Sequence, residues 1–234
     1  MSRGTQNTVL LLVGLSAVVM VLKGTYLHFV RPALLPWLIT AAAVLIALAV
    51  ASIVRDLRHA PAHDHGHRHR PWLVWLLLAP IALTTFVVPP PLGARGAAPQ
   101  AVAATAPARR AFPPLPAGDA PVVSLPDVVM RAAADSTKSL DRRLITIKGF
   151  TLHYPEGTDL GRVVIICCAA DAQLARIHLS GPALAEAAGY PEDTWLQVAG
   201  TVVAGTSAAS SNFIPTMAVS RVTRIDKPAN TYAY

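Results

Sequence analysis

Cysteine, acidic and aromatic residues are all scarce in this chain of 234 residues. The two cysteines are adjacent, at Cys167 and Cys168, so no disulfide framework can hold the fold together. The thirteen acidic residues are dispersed, and no paired-carboxylate motif, phosphate loop or nucleophile–base spacing appears, so we expect no enzyme. Aromatic residues make up 6%, and the basic residues behind the net charge of +7 are scattered, which argues against a nucleic-acid surface.

Apolar residues dominate instead. They make up 53% of the chain, against 14% charged residues, and the mean hydropathy is +0.45. Such a chain is too apolar for one ordinary soluble domain and fits a membrane part joined to one small domain. The hydrophobicity pattern predicts a membrane region at residues 1–88, a Pro- and Ala-rich linker at 89–121 and a soluble domain at 122–234.

Three hydrophobic segments predict three transmembrane helices, at Thr8–Leu22, Leu34–Val54 and Trp72–Val88. The first would span about 22 Å, which is short for a hydrocarbon core of about 30 Å. An extension through Val30 would lengthen it and would place Lys23 near the headgroups, where its side chain can snorkel. A cleaved signal peptide is the other interpretation of this first segment.

A histidine cluster lies in the predicted loop between the second and third segments, residues 55–71. Five of the eight histidines fall within twelve residues: His59, His63, His65, His67 and His69. Neutral imidazoles at this density are ligands for zinc, copper, nickel or cobalt, and Gly66 lets the loop fold around an ion. The loop therefore predicts a labile metal site, and the competing interpretation is a charged connector that fixes the topology.

The basic residues that flank the segments predict their orientation. On one side lie Arg3, Arg55, Arg58, Arg68 and Arg70, and on the other Lys23, Arg31 and Arg95. By the positive-inside rule, the side with more basic residues is cytoplasmic. With three crossings, we expect a multi-pass protein of the plasma membrane whose histidine loop is cytoplasmic and whose C-terminal domain, after Val88, is extracytoplasmic.

The soluble domain begins with a predicted helix, Leu125–Ala134, capped by Ser124. Five segments then show strand patterns, with a short helix, Pro182–Ala188, between the third and fourth. The predicted strands are Leu144–Leu152, Arg162–Cys168, Ala175–Leu179, Thr194–Val203 and Ile214–Ile225. This order predicts a mainly β, OB-like five-stranded barrel, in which Gly149 and Gly200 suit strongly bent strands. A sandwich fragment is the alternative.

The adjacent cysteines Cys167 and Cys168 are the second candidate site. On a regular strand, one thiol would enter the barrel core and the other would face outward. Chelation of one metal by both thiols needs a bend at the strand end, where Asp171 is either an oxygen ligand or the hydrogen-bonding residue of a turn. A strained vicinal disulfide and the burial of at least one thiol are the competing interpretations. His153 and His178 have the pattern of ordinary surface histidines.

The chain resembles the bacterial YcgQ-like family of predicted permease subunits. The resemblance is carried by the three hydrophobic segments with the His-rich loop, by K-G-F at Lys148–Phe150, by R-V-V-I-I-C-C-A-A-D-A at Arg162–Ala172 and by W-L-Q-V-A-G at Trp195–Gly200. It implies a partner, a separate polytopic predicted permease, and a part in metal-ion homeostasis. It implies no catalytic residues, and the C-terminal domain of the family has no known function.

These observations lead us to expect an accessory subunit of a membrane permease, linked to the transport or homeostasis of a transition metal. Zinc or another divalent transition metal is the candidate ligand, and no resident cofactor is required by the sequence. The expected partners are the permease and membrane lipid, and not nucleic acid. The alternatives are an envelope interaction protein that binds through its OB-like domain and a thiol-redox protein, although the cysteines lack the C-x-x-C spacing of the latter.

Overall fold

The computed structural model describes residues 3–58, 91–93 and 108–234. The chain divides into two compact units, Met1–Pro90 and Pro91–Tyr234. The five loop histidines and the third predicted segment, Trp72–Val88, lie outside the described residues.

Two helices joined by a sharp turn form the described part of the N-terminal unit. They are α1 (Arg3–Leu22) and α2 (Leu35–Arg58), with two 3-10 turns between them at Thr25–His28 and Pro32–Leu34. The chain turns at Gly24, whose φ of 71° glycine adopts readily. The predicted extension of the first helix through Val30 is therefore wrong.

Among the described residues, one helix is long and apolar enough to cross a membrane. This stretch, Pro32–Asp56, has 25 residues, whereas the apolar part of α1, Gln6–Leu22, is shorter. The structure thus supports a membrane helix at the position predicted for the second segment.

Small residues bring α1 and α2 close together. Ala42 and Ala49 of α2 are buried, and a Cβ atom added at Gly14 of α1 would lie 2.7 Å from Cγ1 of Ile46. Because α1 has no side chain at Gly14, the backbones can approach at this point. The two helices therefore pack as a hairpin.

The C-terminal unit is a five-stranded, mainly β domain, as the sequence predicts. Its strands are β1 (Leu144–Tyr154), β2 (Gly157–Val164), β3 (Gln173–Ser180), β4 (Trp195–Val202) and β5 (Thr216–Arg224), and its helices are α3 (Leu125–Ala134) and α4 (Leu184–Ala188). Helix α3 has the predicted bounds, and the Ser124 side chain accepts the amide hydrogen bond of Asp127 at 3.4 Å.

The strands pair in the closed order β1-β2-β3-β5-β4. All neighbours are antiparallel except β3 and β5, which are parallel and are separated in the chain by α4 and β4. The first part of strand β1 pairs with β4, and its last part pairs with β2. The pairing partner changes at Phe150, which pairs with both strands.

The two glycines expected at bends both occupy crowded backbone positions. A Cβ atom at Gly149 would lie 2.5 Å from the carbonyl oxygen of Gly161, and one at Gly200 would overlap the carbonyl oxygen of Ala218. The register of β4 and β5 also shifts between Ala199 and Gly200, which marks a bulge. Glycine is therefore required at both positions by close backbone contact.

Two clusters of buried apolar side chains form the core. The larger one includes Leu125, Val128, Ile145, Ile147, Leu160, Ile177, Leu196, Val198, Met217 and Val219. The smaller one includes Tyr232 of the C-terminal segment and consists of Phe150, Leu152, Val163, Ile165, Leu174, Trp195 and Tyr232. The C-terminal segment is fastened to β2, because the Ala233 amide donates to the Val163 carbonyl at 2.8 Å.

The end of the predicted linker is attached to this domain. The Arg110 amide donates to the Ala134 carbonyl at 2.9 Å, and the Thr146 amide donates to the Pro121 carbonyl at 2.9 Å. The buried guanidinium of Arg131 donates to the Pro113 carbonyl at 2.8 Å. Residues 108–121 therefore run along the domain, although their composition predicts a mobile linker.

We expect Gly200→Ala to destabilise the C-terminal domain by about 1 to 3 kcal/mol, because the added methyl must displace the backbone of β5. Gly189→Ala is the matched control. A Cβ atom there would meet its nearest neighbour at 3.5 Å, and the φ of Gly189 is −74°. Urea denaturation followed by near-ultraviolet circular dichroism measures both, and equal midpoints for the two variants would contradict the crowding at Gly200.

Candidate functional site

The adjacent cysteines lie in the loop that joins β2 to β3. Strand β2 ends at Val164, and a short 3-10 turn, Ala169–Asp171, precedes β3. Cys167 is exposed, Cys168 is half-buried, and both thiols are free. The prediction that Arg162–Cys168 is a strand with one thiol in the core is therefore wrong, and neither thiol is buried.

The strand is displaced because the β1–β2 hairpin begins earlier than predicted. Gly157 pairs with Tyr154, so β2 starts at Gly157 and its pairing with β3 ends at Val164. Beyond this point, the Ile165 amide donates to the Ala233 carbonyl at 3.1 Å, and the amides from Ile166 onward are bound by a side chain. The side chain that binds these amides is Asp171.

The Asp171 carboxylate organises the loop. Its Oδ1 accepts the amide of Ile166 at 2.9 Å, and its Oδ2 accepts the amides of Cys167 at 2.7 Å and Cys168 at 3.3 Å. In return, the Asp171 amide donates to the Cys168 carbonyl at 3.0 Å. Asp171 is thus the hydrogen-bonding residue of the turn, which was one of its two predicted roles.

The same carboxylate controls the protonation of Cys167. A hydrogen bond with the Cys167 thiol, together with the backbone amides, lowers the pKa of Asp171 to about 2. Conversely, the hydrogen bond to Asp171 and the neighbouring Cys168 thiol raise the pKa of Cys167 to about 11. Cys167 is therefore a protonated thiol at neutral pH.

The loop brings together three side chains whose donor atoms could hold a metal ion. The sulfurs of Cys167 and Cys168 and a carboxylate oxygen of Asp171 all lie within 4.8 Å of one another. Thiolates suit zinc and monovalent copper, and a carboxylate oxygen is a ligand for zinc as well. The residues present therefore fit a thiophilic metal, bound at the surface of the domain.

The two histidines of the C-terminal domain lie elsewhere. His178 pairs across the strands with Asp159, several residues from the Cys167 loop along both β2 and β3. His153 contacts the Tyr190 carbonyl through Nε2 at 2.9 Å and Thr158 through Nδ1 at 3.4 Å. Neither histidine forms part of the thiol cluster, although sequence reasoning left that arrangement open.

A second polar cluster surrounds the buried side chain of Asp159. Its carboxylate lies 2.5 Å from Nδ1 of His178 and 3.4 Å from Nη1 of Arg176. Burial raises the pKa of Asp159, against the opposing effect of these two neighbours. The Arg176 guanidinium also stacks on Tyr154, at 4.6 Å from the ring centre.

Sequence reasoning missed Asp159. The predicted strand began at Arg162, so Asp159 lay outside any element, and no periodicity placed it opposite His178. A correct β1–β2 hairpin would have put this carboxyl within a half-buried strand, where a charged residue needs a partner.

The structure thus defines a class: a five-stranded, mainly β domain that follows N-terminal helices and carries a Cys-Cys-Asp cluster on the β2–β3 loop. A family model, the DUF1980 C-terminal domain, matches residues 128–234. This region of the chain is therefore similar to that domain, which is consistent with a YcgQ-like C-terminal domain. The match begins within α3 and includes all five strands and the cluster. No curated protein and no solved structure matches the chain.

We expect alkylation of Cys167 to be slow at neutral pH and to accelerate as the pH rises toward 11, because only the thiolate reacts. Cys168→Ser isolates this thiol, and the double variant Cys168→Ser/Asp171→Asn removes the carboxylate. At pH 8 the double variant should react about tenfold faster, since a lower thiol pKa outweighs the lower nucleophilicity of the thiolate. Mass spectrometry measures the alkylation rate of each variant as a function of pH. Identical pH profiles for the single and the double variant would contradict the role assigned to Asp171.

We expect Asp159→Ala to destabilise the domain by about 1 to 3 kcal/mol, because His178 and Arg176 lose their shared acceptor. Glu156→Ala removes an exposed carboxylate from the same hairpin and should change stability by less than about 0.5 kcal/mol. Thermal unfolding compares the two variants, and an equally small effect at Asp159 would show that the cluster does not stabilise the sheet.

Proposed function

We propose that this protein is a membrane-anchored accessory subunit of a permease and that it binds a transition metal at the β2–β3 loop. The observation that carries the proposal is the placement of two thiols and a carboxylate within 4.8 Å on an accessible surface. A buried cysteine pair would be explained by packing, whereas packing does not explain the exposed thiol of Cys167.

The fold that we propose for the metal-binding domain is an OB-like barrel. The closed strand order, the parallel pairing of β3 with β5 and the position of α4 between β3 and β4 all support it. In this architecture, loops at the ends of the strands are free to bind ligands, because the closed sheet holds the ends of each loop in place.

The membrane arrangement that we propose has three crossings. The candidate span Pro32–Asp56 and the close packing of α1 against α2 support a membrane-inserted hairpin. The exposed face of α2 is apolar, with Trp37, Ile39, Val44, Leu48, Val50 and Val54. Lipid or the helices of a polytopic permease would cover such a face. The third crossing would then place the thiol cluster outside the cell.

In this proposal, the histidine loop is a second metal-binding site. Three crossings and the excess of basic residues would place it in the cytoplasm, on the other side of the membrane from Cys167 and Cys168. The two groups would then bind metal separately. One would be a labile imidazole site, and the other would be fixed by the hydrogen bonds of Asp171.

Metal binding by the purified, detergent-solubilised protein tests the first part of the proposal. We expect zinc or copper to bind the intact chain, and we expect Cys167→Ser/Cys168→Ser to lose one bound ion per chain. A variant with alanine at all five loop histidines should lose the other binding component and keep the thiol component. Unchanged stoichiometry in the cysteine variant would contradict the proposed site.

Partner capture tests the second part. Protein extracted from its native membrane should bring down a polytopic membrane protein, and deletion of both proteins should change the metal content of the cell. An unaltered metal content would count against transport. Capture of a soluble envelope component without any polytopic protein would instead favour an interaction protein, a function for which the half-buried Arg176–Tyr154 stack beside His178 offers a polar and aromatic surface.

A further inference from the structure

The Asp171 carboxylate is already engaged when the thiols are unmetallated. A carboxylate has about four positions at which it accepts hydrogen bonds. Three are taken by the amides of Ile166, Cys167 and Cys168, and the Cys167 thiol supplies a further hydrogen bond. Direct metal ligation by Asp171 would compete with the bonds that give the loop its shape.

The two sulfurs are differently placed. Cys167 is exposed, whereas Cys168 is half-buried. Within the described parts of the chain, no other histidine, cysteine or acidic side chain joins this group. The loop therefore offers a metal two sulfur ligands and otherwise open solvent.

Two ligands suit one class of ion better than another. Structural zinc sites use four protein ligands, and catalytic ones use three and a water molecule. Soft thiolate ligands favour monovalent copper, for which no oxygen ligand is required. A carboxylate that binds the amides of the loop orients the metal ligands without touching the metal, as the hydrogen-bonding partners of metal ligands commonly do.

We infer that Cys167 and Cys168 bind a soft monovalent ion, Cu(I), through their two sulfurs alone, and that Asp171 is a positioning residue outside the coordination sphere. This inference rests on the proposed metal site and narrows it to an ion class and a ligand set. Binding converts two thiols and Cu(I) into a bis-thiolate complex of charge −1 and releases two protons to solvent. No change of oxidation state is involved. The open side of the ion leaves room for a third sulfur from a partner, so the ion can be passed on by ligand exchange.

The experiment uses the full chain in detergent, without oxygen, with alanine at the five loop histidines so that those residues bind no metal. Cu(I) is supplied in competition with a chromophoric Cu(I) chelator, and Zn(II) is titrated separately. X-ray absorption at the metal edge identifies the coordinating atoms. We expect one Cu(I) per chain with sulfur ligands and no oxygen or nitrogen, and at least tenfold weaker binding in Cys167→Ser and in Cys168→Ser.

Asp171→Asn separates positioning from ligation. We expect it to weaken Cu(I) binding about tenfold and to leave the all-sulfur coordination unchanged. Asp135→Asn is the matched control, because Asp135 likewise organises a loop, accepting the amides of Thr137 at 2.8 Å and Ser139 at 2.9 Å. It should leave Cu(I) affinity unchanged.

An oxygen ligand that is present in the parent protein and lost in Asp171→Asn would overturn the inference, as would tighter binding of Zn(II) than of Cu(I). Either result would leave the proposed metal site intact. If neither ion bound to the cysteines, the proposed metal site and the inference would both fail.

Discussion

The closure of the β-sheet is the constraint on which the C-terminal domain depends. One strand, β1, must pair with β4 over its first part and with β2 over its last part, and it can do so because Gly149 lets the backbone of β2 approach. The bulge at Gly200 lies where β4 pairs with β5. Closure leaves no long unpaired edge and encloses one apolar interior. It also fixes the ends of every loop, including the one that carries the cysteines.

The candidate site results from that closure together with one local interaction, the binding of backbone amides by Asp171. Backbone pairing in this segment ends at Ile165, whose amide donates to Ala233. The following amides therefore bind the Asp171 carboxylate, and Cys167 is exposed to solvent. The site is thus built from backbone amides as much as from side chains. A carboxylate bound in this way raises the pKa of its neighbour Cys167 and keeps that thiol protonated at neutral pH. Such a thiol resists alkylation and oxidation more than a free thiolate would.

Much of the domain was predictable from residue patterns. The positions of four of the five strands and of α3 follow from alternation, turn residues and the Ser124 cap, because these signals are local. The second strand is the informative error. R-V-V-I-I-C-C reads as one buried strand, and nothing in those seven letters shows that pairing ends after the third. The Asp159–His178 pair was missed for the same reason, since a cross-strand contact depends on register and not on spacing along the chain.

The sequence by itself determined that the chain has an apolar helical N-terminal part, a β-rich C-terminal part and two candidate groups of metal ligands, since composition and periodicity carry that information. Only the tertiary structure decided that neither cysteine is buried, that Asp171 binds three amides, and that residues 108–121 run along the domain. The physical reason is that burial and hydrogen bonding depend on which segments meet. Alternation predicted that the adjacent cysteines face opposite sides of a strand. They lie together in a loop instead, because the Asp171 carboxylate accepts the hydrogen bonds of both their amides.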